Sequence, residues 1–264
     1  MISETYYTPI SEALRAFKLE PNTLKDRVVL ISGASGGLGT VLSKACAQAG
    51  ATVVLVARKL GKLEALYDAI EQIDGAPQPA IITLDQANAP EADYQQLTHI
   101  IASELGRLDA LVHTAADLGV LSPLALIPQA DWTRVMSVNL TSARLLTNAC
   151  WPILSNSDNA SVTFTVDNKT SAYWGAYGVS KLALMQLANM TFDESEKQRG
   201  DDGTAIIAVN AVDPGAMRTP LRRKAFPGEL ETETPTPDSR LGPFLALISR
   251  QDKQLNGATL RWTD

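Results

Sequence analysis

The sequence predicts an α/β fold: a doubly wound parallel sheet of about seven strands, covered by helices on both faces, in a single domain. Short runs of apolar, mostly β-branched residues recur along the chain, and such runs are typical of strands buried on both faces. Stretches with helical periodicity separate these runs. Strands that alternate with helices of this length form βαβ units, which pair their strands in parallel.

Each element follows from a local pattern. The apolar runs predict strands at 27–32, 51–57, 80–84, 108–113, 160–166, 204–212 and 258–262. The periodic stretches predict helices at 40–49, 60–73, 91–105, 131–154 and 175 to about 199. Gly50 suits the C-cap of the first helix, Asp74-Gly75 ends the second, and Pro152 falls in the last turn of the fourth.

Length and composition favour one large domain. The chain has 264 residues, with 23 Lys and Arg against 29 Asp and Glu, for a formal net charge of −6. A chain of this length buries enough surface for a full core. We expect residues 1–23 to be a polar lead-in and residues 24–264 to form the domain. The segment of about 217–240 is rich in Pro, Thr and Glu, and a long irregular segment of this kind predicts a substrate-binding loop.

The same composition argues against several classes of protein. The acidic balance and the absence of a Lys/Arg stripe argue against a nucleic-acid partner. No apolar run approaches the roughly 18 residues of a membrane span, and the first 20 residues contain no apolar region typical of a secretory signal. Cys46 and Cys150 cannot build a disulfide framework, and no His or Cys spacing indicates a metal site. We therefore expect a soluble, cytoplasmic protein without membrane partners.

A glycine-rich turn separates the first predicted strand from the first predicted helix. Residues 32–39 contain the spacing G-x-x-x-G-x-G. Glycines here let the backbone turn tightly and approach a pyrophosphate, which then lies at the positive end of the helix, as in a Rossmann fold. No G-K-[ST] follows, which excludes a triphosphate P-loop. The pattern predicts a dinucleotide site, with a ligand-free turn as the alternative; the predicted contacts are Gly33, Ser35, Gly37, Leu38 and Gly39.

The end of the second predicted strand bears on which dinucleotide binds. A carboxylate there would accept hydrogen bonds from a free ribose 2′-hydroxyl, whereas a cation would meet a 2′-phosphate. The sequence has Ala57 followed by Arg58 and Lys59. This favours NADP(H) over NAD(H), the alternative being that both cations form an ordinary solvated start to a helix.

Two residues of the last long helix are suited to acid–base chemistry. Tyr177 and Lys181 are four residues apart, so their side chains share one face of the helix. A neighbouring ammonium favours the phenolate of a tyrosine and brings its pKa closer to a useful range. The alternative for such a pair is an ordinary helix-surface contact.

Together these residues resemble the short-chain dehydrogenase/reductase family. The family's glycine motif is matched with Ser32 in place of Thr, and Asn139, the Tyr177-x-x-x-Lys181 pair and Asp213-Pro214-Gly215 follow in order. The resemblance covers the chain from about 24 to 262. The segments W-G-A-Y-x-x-S-K and P-G-A-M-R-T-P-L are most similar to a poorly characterised bacterial subgroup of oxidoreductases.

The resemblance implies roles for the catalytic residues. Tyr177 would exchange a proton with the substrate oxygen while hydride moves to or from the nicotinamide. Lys181 would tune Tyr177 and hold the nicotinamide ribose, and Asn139 would help to hold a water in the proton relay.

The resemblance also implies cofactor contacts and an assembly. Asp85, after the third predicted strand, falls where the family holds the adenine amino group, although a simple loop Asp is the alternative. Pro214, Gly215 and Thr219 would contact the cofactor. The family forms homodimers or homotetramers through long helices, here 131–154 and 175–199.

Two departures from the family pattern concern the chemistry. The family carries a serine roughly a dozen residues before the tyrosine, and no serine stands at that place here. Asp167 lies in or beside the position, and Thr165, Thr170 and Ser171 are the hydroxyls that would reach the site if the loop folds inward. After the fourth predicted strand, the family's N-N-A-G becomes 113–116, H-T-A-A, in which His113 is more consistent with packing than with catalysis.

These observations leave two functions open. The first is an NADP(H)-dependent oxidoreductase that interconverts a carbonyl and an alcohol on a small molecule. The alternative is a catalytically weakened nucleotide-binding relative with a regulatory or binding role. The substrate, the direction of reaction and the choice between dimer and tetramer do not follow from the sequence.

Overall fold

One parallel sheet organises the protein. The structure is a computed structural model that describes residues 7–197, 207–252 and 255–263. Within that part of the chain, eight strands pair in the order β1-β8-β7-β6-β5-β2-β3-β4, and every pairing is parallel. The strands are β1 (Thr8–Pro9), β2 (Val28–Ser32), β3 (Thr52–Ala57), β4 (Ala80–Thr83), β5 (Ala110–His113), β6 (Ala160–Thr165), β7 (Ile207–Asp213) and β8 (Thr259–Arg261).

Helices cover both faces of this sheet, which confirms the predicted doubly wound α/β fold. They are α1 (Glu12–Ala16), α2 (Gly37–Gln48), α3 (Leu60–Glu71), α4 (Glu91–Glu104), α5 (Gln129–Met136), α6 (Ser142–Leu154), α7 (Gly175–Ser195), α8 (Pro220–Ala225) and α9 (Gly242–Ser249). A π-helical turn, Ser137–Thr141, joins α5 to α6. The predicted helix 131–154 is therefore one continuous helical region.

The strand count differs from the prediction of about seven because of a short edge strand. β1 has only two residues, one of them Pro9, and it pairs with the last strand, β8. Proline cannot donate a hydrogen bond to a neighbouring strand, so it occurs at sheet edges and weakens any strand pattern. The segment before residue 24 thus contributes a strand and the helix α1 to the fold.

Other element boundaries differ from the predictions by a few residues. α2 begins at Gly37 rather than at residue 40, so two glycines of the turn lie in its first helical residues. The sequence did not predict α8 or α9. Residues 198–199 of the last predicted long helix and residues 204–206 of the sixth predicted strand lie outside the described residues.

The core is divided between the two faces of the sheet. Alternate residues of a strand point to opposite faces. In β2, Val29 and Ile31 belong to one apolar cluster, together with Phe244 of α9. Val28 and Leu30 belong to the other cluster, which contains buried residues of α6 and α7. Both faces of the central strands are buried, which explains why these strands are apolar throughout.

The turn between β2 and α2 depends on close backbone contacts. Gly33 has a φ of +75°, and a Cβ atom there would lie 2.5 Å from the Ala115 backbone nitrogen. A Cβ atom at Gly39 would lie 2.3 Å from the Gly33 carbonyl oxygen. Distances this short are not compatible with a side chain, so the path of this turn requires glycine at both positions.

We predict that Gly39→Ala lowers the free energy of unfolding by about 1–3 kcal/mol, because the added methyl group forces the turn away from α2. Gly61→Ala is the matched control. Gly61 lies on α3 with only the end of a flexible Glu64 side chain within 4.0 Å, so alanine there is expected to stabilise the protein by about 0.5–1 kcal/mol. Urea unfolding of the two variants measures both values, and an unchanged midpoint for Gly39→Ala would contradict the prediction.

Candidate active site

A large cavity opens at the carboxyl edge of the sheet, at the point where the strand order reverses between β5 and β2. Its volume is about 1070 Å³. Pockets for small ligands are usually about 300–1,000 Å³, so this cavity is large enough for a dinucleotide with part of a substrate. In open α/β sheets, ligands bind at this reversal point.

Most of the predicted site residues line this cavity. They are Gly33, Ser35, Gly37, Leu38, Arg58, Asp85, Tyr177, Lys181, Pro214, Gly215 and Thr219. Gly39 and Asn139 do not reach it: Gly39 lies behind the turn against Gly33, and Asn139 is buried in the π-helical turn. These two residues therefore contact residues that line the cavity without lining it themselves.

The segment after β7 lies directly over the glycine turn. A Cβ atom at Gly37 would be 2.6 Å from Cγ2 of Thr219. Thr219 is the N-cap of α8, where its hydroxyl oxygen accepts a hydrogen bond from the Arg222 backbone N–H at 3.2 Å. The glycine at position 37 thus allows this close contact between the two loops.

Three cations line the cavity beyond the end of β3: Arg58, Lys59 and Lys62. All three are exposed, and the last residue of the strand is Ala57. The sequence reasoning missed Lys62, although it lies in α3, four residues after Arg58. Asp85 also lines the cavity, but its carboxylate accepts hydrogen bonds from the Ala87 backbone and the Asn88 side chain, so it also stabilises its own turn.

Tyr177 and Lys181 lie on one face of α7, and both are buried. The Tyr177 hydroxyl donates a hydrogen bond to Oδ2 of Asp167 at 3.0 Å. The Lys181 ammonium donates to the carbonyl oxygen of Thr165 at 2.8 Å and lies 6.0 Å from the centroid of the Tyr177 ring. The predicted pair is therefore brought together in the cavity, next to the end of β6.

The loop between β6 and α7 is held against that helix by another close contact. A Cβ atom at Gly178 would lie 2.2 Å from the Lys169 carbonyl oxygen. Because residue 178 is glycine, the loop packs directly on α7 beside Tyr177. This packing places the Asp167 carboxylate within hydrogen-bond distance of the Tyr177 hydroxyl.

Of the four residues that the sequence left open for the serine position, Asp167 is the one that contacts Tyr177. Thr165 lines the cavity, but its hydroxyl is buried and has no hydrogen-bond partner in the described part of the chain. Thr170 and Ser171 are exposed and do not belong to the cavity lining.

Burial and neighbouring charges shift the pKa values of Tyr177, Lys181 and Asp213, which all line the cavity. Burial, followed by the charge of Asp167, raises the pKa of Tyr177 well above its usual value. Burial lowers the pKa of Lys181 to about 8, although Asp167 and Asp213 oppose this shift. Burial and the Asp167 charge raise the pKa of Asp213 to about 6. Tyr177 is thus held in its protonated form, as a donor to Asp167.

Two further cations compensate these carboxyl groups. The Lys169 ammonium lies 3.9 Å from Asp167, and Nε of Arg261 lies 3.3 Å from Asp213. The Arg261 guanidinium also lies 4.5 Å from the centroid of the Tyr7 ring, so the N-terminal segment reaches this end of the site. Sequence reasoning missed the contacts of Arg261 because they join segments that are far apart in the chain. The contact of Lys169 is local, two residues from Asp167, and no residue pattern in the sequence marked it.

Asn139 connects the site to its surroundings. Its Oδ1 atom accepts a hydrogen bond from the Asp117 backbone N–H at 2.7 Å. Its Nδ2 atom donates to the Asp117 carbonyl and to the Ser180 hydroxyl, both at 2.9 Å. The side chain therefore fixes the loop after β5 against α7, next to Tyr177 and Lys181.

His113 has a packing position. Its ring stacks on Phe164 with the centroids 4.8 Å apart, and its Nε2 atom lies 2.9 Å from the Thr147 hydroxyl. Burial lowers its pKa to about 3, so the imidazole is neutral at physiological pH. This agrees with the interpretation of the sequence.

Only the first part of the predicted loop 217–240 faces the cavity. α8 contributes residues to the cavity lining, and its Lys224 donates a hydrogen bond to the carbonyl of Gly119, in the loop after β5, at 3.1 Å. Trp174 packs between Tyr177 and Phe226, with ring centroids 5.7 and 5.8 Å away. The later part of the segment packs on the body of the protein, where the Arg240 guanidinium lies 4.0 Å from the Trp262 ring.

None of the helices in the described ranges is long and apolar enough to cross a membrane. The same ranges contain no group of three or more His, Cys, Asp or Glu side chains that could hold a metal ion. Cys46 and Cys150 are both buried and free.

Comparison with known proteins shows the family to which the protein belongs. The family model described as short chain dehydrogenase matches residues 27–230, which is well over half of the chain. The protein therefore belongs to the short-chain dehydrogenase family, a family of oxidoreductases, as the sequence resemblance predicted.

Individual relatives are similar over nearly the whole chain. An uncharacterized oxidoreductase of Escherichia coli (strain K12), YciK, is 32% identical over 92% of this chain and 94% of that protein. A short chain dehydrogenase structure from Pseudomonas syringae superimposes with a TM-score of 0.87 and 37% identity, covering 93% of this chain and 98% of that one. A short chain dehydrogenase from Escherichia coli CFT073, complexed with NADPH, gives a TM-score of 0.85 and 33% identity, with coverages of 92% and 98%.

We predict that Asp167→Asn lowers the pKa of Tyr177. Asp167 raises that pKa through its negative charge and by accepting the hydroxyl hydrogen bond, so a neutral amide makes the phenolate less unfavourable. The tyrosinate absorbance during an alkaline titration measures the pKa, and subtraction of the Tyr177→Phe titration isolates this residue. Asp158→Asn, on an exposed loop, serves as the control. An unchanged Tyr177 titration in Asp167→Asn would show that the contact has no electrostatic effect.

Proposed function

We propose that the protein is an NADP(H)-dependent oxidoreductase that interconverts a carbonyl and an alcohol on a small molecule. The observation that carries this proposal is the Tyr177–Lys181 pair, which shares one cavity with the glycine turn at the reversal point of the sheet. When bound, NADP(H) supplies or accepts the hydride. The chain's own residues then bind the nucleotide, orient the substrate and move the proton.

The residues present fit a phosphorylated dinucleotide. Gly33, Gly37 and Leu38 place backbone at the start of α2, where an N-terminal helix dipole favours a pyrophosphate. Arg58, with Lys59 and Lys62, offers positive charge for a 2′-phosphate. The NADPH complex of the similar Escherichia coli CFT073 protein supports this assignment. The other contacts that we propose for the nucleotide are Ser35, Gly39 through the turn, Asp85, Lys181, Pro214, Gly215 and Thr219.

Tyr177 is the proposed proton donor in carbonyl reduction and the proton acceptor in alcohol oxidation. Its raised pKa keeps the hydroxyl protonated, which suits donation to a substrate oxygen. Lys181 lies on the same helix face, where its ammonium stabilises the phenolate that remains after donation. Asn139 has a supporting role, because its hydrogen bonds hold the Asp117 loop beside this helix.

We also propose that the usual catalytic serine is missing and that Asp167 occupies its place. Loss of a hydrogen-bond donor to a developing oxyanion typically costs about 10²–10³-fold in rate. Carbonyl turnover is therefore expected to be slow. The hydrogen bond from Tyr177 to Asp167 also favours the second candidate function, a nucleotide-binding protein with little turnover and a regulatory or binding role.

We also propose the domain bounds, the cellular location, the oligomeric state and the partners of the protein. We propose residues 24–264 as the catalytic domain, with 1–23 as its N-terminal extension, and a cytoplasmic location. A homodimer or homotetramer would use the long helical region α5–α6 and α7, and α7 presents the exposed apolar side chains of Val179 and Met190. Small molecules are the proposed partners, without nucleic acid or membrane.

We predict that Arg58→Ala weakens NADPH binding by about tenfold or more and leaves NADH binding nearly unchanged. A charge-assisted contact with a 2′-phosphate is worth roughly 1.5–3 kcal/mol, and NADH has no such phosphate. Nucleotide fluorescence titrations measure both dissociation constants. Lys25→Ala removes an equal charge from an exposed position outside the cavity and is the control. Equal binding of the two nucleotides by the natural protein would refute the assignment.

We predict that Tyr177→Phe reduces carbonyl turnover by about 10²–10⁴-fold, the usual contribution of a general acid. Tyr173→Phe is the matched control, because the Tyr173 side chain is 62% exposed and does not line the cavity. NADPH oxidation with a panel of aldehydes and ketones measures the rate. Turnover that survives in Tyr177→Phe rejects the proton-transfer role, and nucleotide binding without turnover of any substrate favours the second candidate.

A further inference from the structure

The ammonium group of Lys169 lies inside the cavity between a carboxylate and an aromatic ring. Its Nζ atom is 3.9 Å from Oδ1 of Asp167 and 5.2 Å from the centroid of the Trp174 ring. Carboxylates and aromatic faces both attract cations. Trp174 also packs beside Tyr177, with ring centroids 5.7 Å apart. A position that already holds a cation thus adjoins the proposed proton donor.

Asp167 itself is available to a substrate. Its side chain is 25% exposed and lines the cavity, while its other oxygen accepts the hydrogen bond from Tyr177. Hydride addition to a carbonyl builds negative charge on oxygen, which a carboxylate at this place repels. Hydride addition to an iminium instead removes a positive charge from nitrogen. The carboxylate that opposes the first reaction therefore suits the second.

We propose that this site reduces a positively charged C=N bond, an iminium, with Asp167 balancing the charge and Trp174 packing against the cation. The inference rests on the proposed NADP(H)-dependent oxidoreductase function and names a further substrate class for the same cavity. The ammonium of Lys169 shows where a substrate cation would lie, and it competes with that cation for the Asp167 carboxylate.

The step balances without any residue changing its charge. The reduced nicotinamide gives up a hydride with its electron pair, which forms a new C–H bond at the iminium carbon. The C=N π bond breaks, and its electrons become the lone pair of the nitrogen. The iminium is reduced to a neutral amine, the nicotinamide is oxidised, and no proton is transferred. An uncharged imine would first take a proton on nitrogen, which Tyr177 is placed to donate.

The charge contact predicts an effect on KM more than on kcat. Asp167 stabilises the fully charged bound iminium at least as strongly as the transition state, in which the positive charge is already reduced. Loss of the carboxylate is therefore expected to weaken substrate binding. A merely structural role of Asp167 would change NADPH binding and the reduction of ketones as well.

Reduction of the N-methyl-dihydroisoquinolinium cation and of α-tetralone tests the proposal. The two probes have bicyclic skeletons of similar size, and the first is permanently charged. With NADPH, and after subtraction of the enzyme-free rate, we expect the natural protein to prefer the cation by about tenfold or more in kcat/KM. Asp167→Asn should raise the KM of the cation by about tenfold, while the rate with tetralone stays equal or rises.

Variants of Lys169 and Tyr177 distinguish the contribution of the Asp167 carboxylate from the contributions of these two neighbours. Lys169→Gln removes the competing ammonium and should lower the KM of the cation, with Lys25→Gln as the matched control. Tyr177→Phe should lower tetralone reduction by about 10²–10⁴-fold yet retain reduction of the permanently charged cation, because that step needs no proton. Calorimetric binding of the non-reactive N,N-dimethyl-tetrahydroisoquinolinium cation gives a readout independent of turnover, and Asp167→Asn should weaken it by about tenfold.

The outcomes distinguish this inference from the function on which it rests. Tyr177-dependent reduction of tetralone without reduction of the cation overturns the inference and leaves the proposed function intact. The same holds if Asp167→Asn binds and reduces the cation as the natural protein does. Bound NADPH with no turnover of either probe in any variant overturns both.

Discussion

The whole site depends on how closely separate backbone segments approach one another at the carboxyl edge of the sheet. At Gly33 and Gly178 a Cβ atom would lie within 2.5 Å of a backbone atom of another segment, and at Gly39 it would lie 2.3 Å from the Gly33 carbonyl oxygen of the same turn. These contacts bring the turn after β2 next to the segment after β5, and the loop after β6 next to α7. The parallel sheet supplies the common edge, and the glycines set how tightly its loops converge there.

That convergence places charged groups where water is largely excluded. Lys181 and Asp213 are almost fully buried, and burial shifts the pKa of each toward its neutral form. Charges in such surroundings require partners, since an isolated buried ion is costly. The Lys181 ammonium donates a hydrogen bond to the Thr165 carbonyl, and Asp213 forms a salt bridge with Arg261. The partners come from β6 and β8, so the electrostatics of the site depend on the strand order as much as on α7.

Sequence reasoning was most successful where the determining contacts are local. The glycine turn, the cations after β3 and the Tyr177–Lys181 pair each lie within a few residues, and the structure places them together in one cavity. It left Asp167, Thr165, Thr170 and Ser171 open, because the choice depends on how the loop packs against Gly178. Arg261 and Tyr7 were missed, since their contacts join segments distant in sequence. Lys169 was missed although its contacts are local, because they depend on how the loop after β6 folds. β1 was missed because two residues with a proline make no strand pattern.

The acidic side chain of Asp167 beside Tyr177 has electrostatic consequences that a neutral side chain there would not have. A small neutral residue in that place would need no charge partner, and the tyrosine hydroxyl would remain free to meet a substrate oxygen. Asp167 instead accepts the Tyr177 hydrogen bond and pairs with Lys169, whose ammonium in turn lies against Trp174. Two side chains thus contact the negative charge of Asp167 in the lining of the cavity, and a third, Trp174, lies against the Lys169 cation. Under the proposed function a substrate must share this space, so the sign of that charge would select the kind of bond that is reduced.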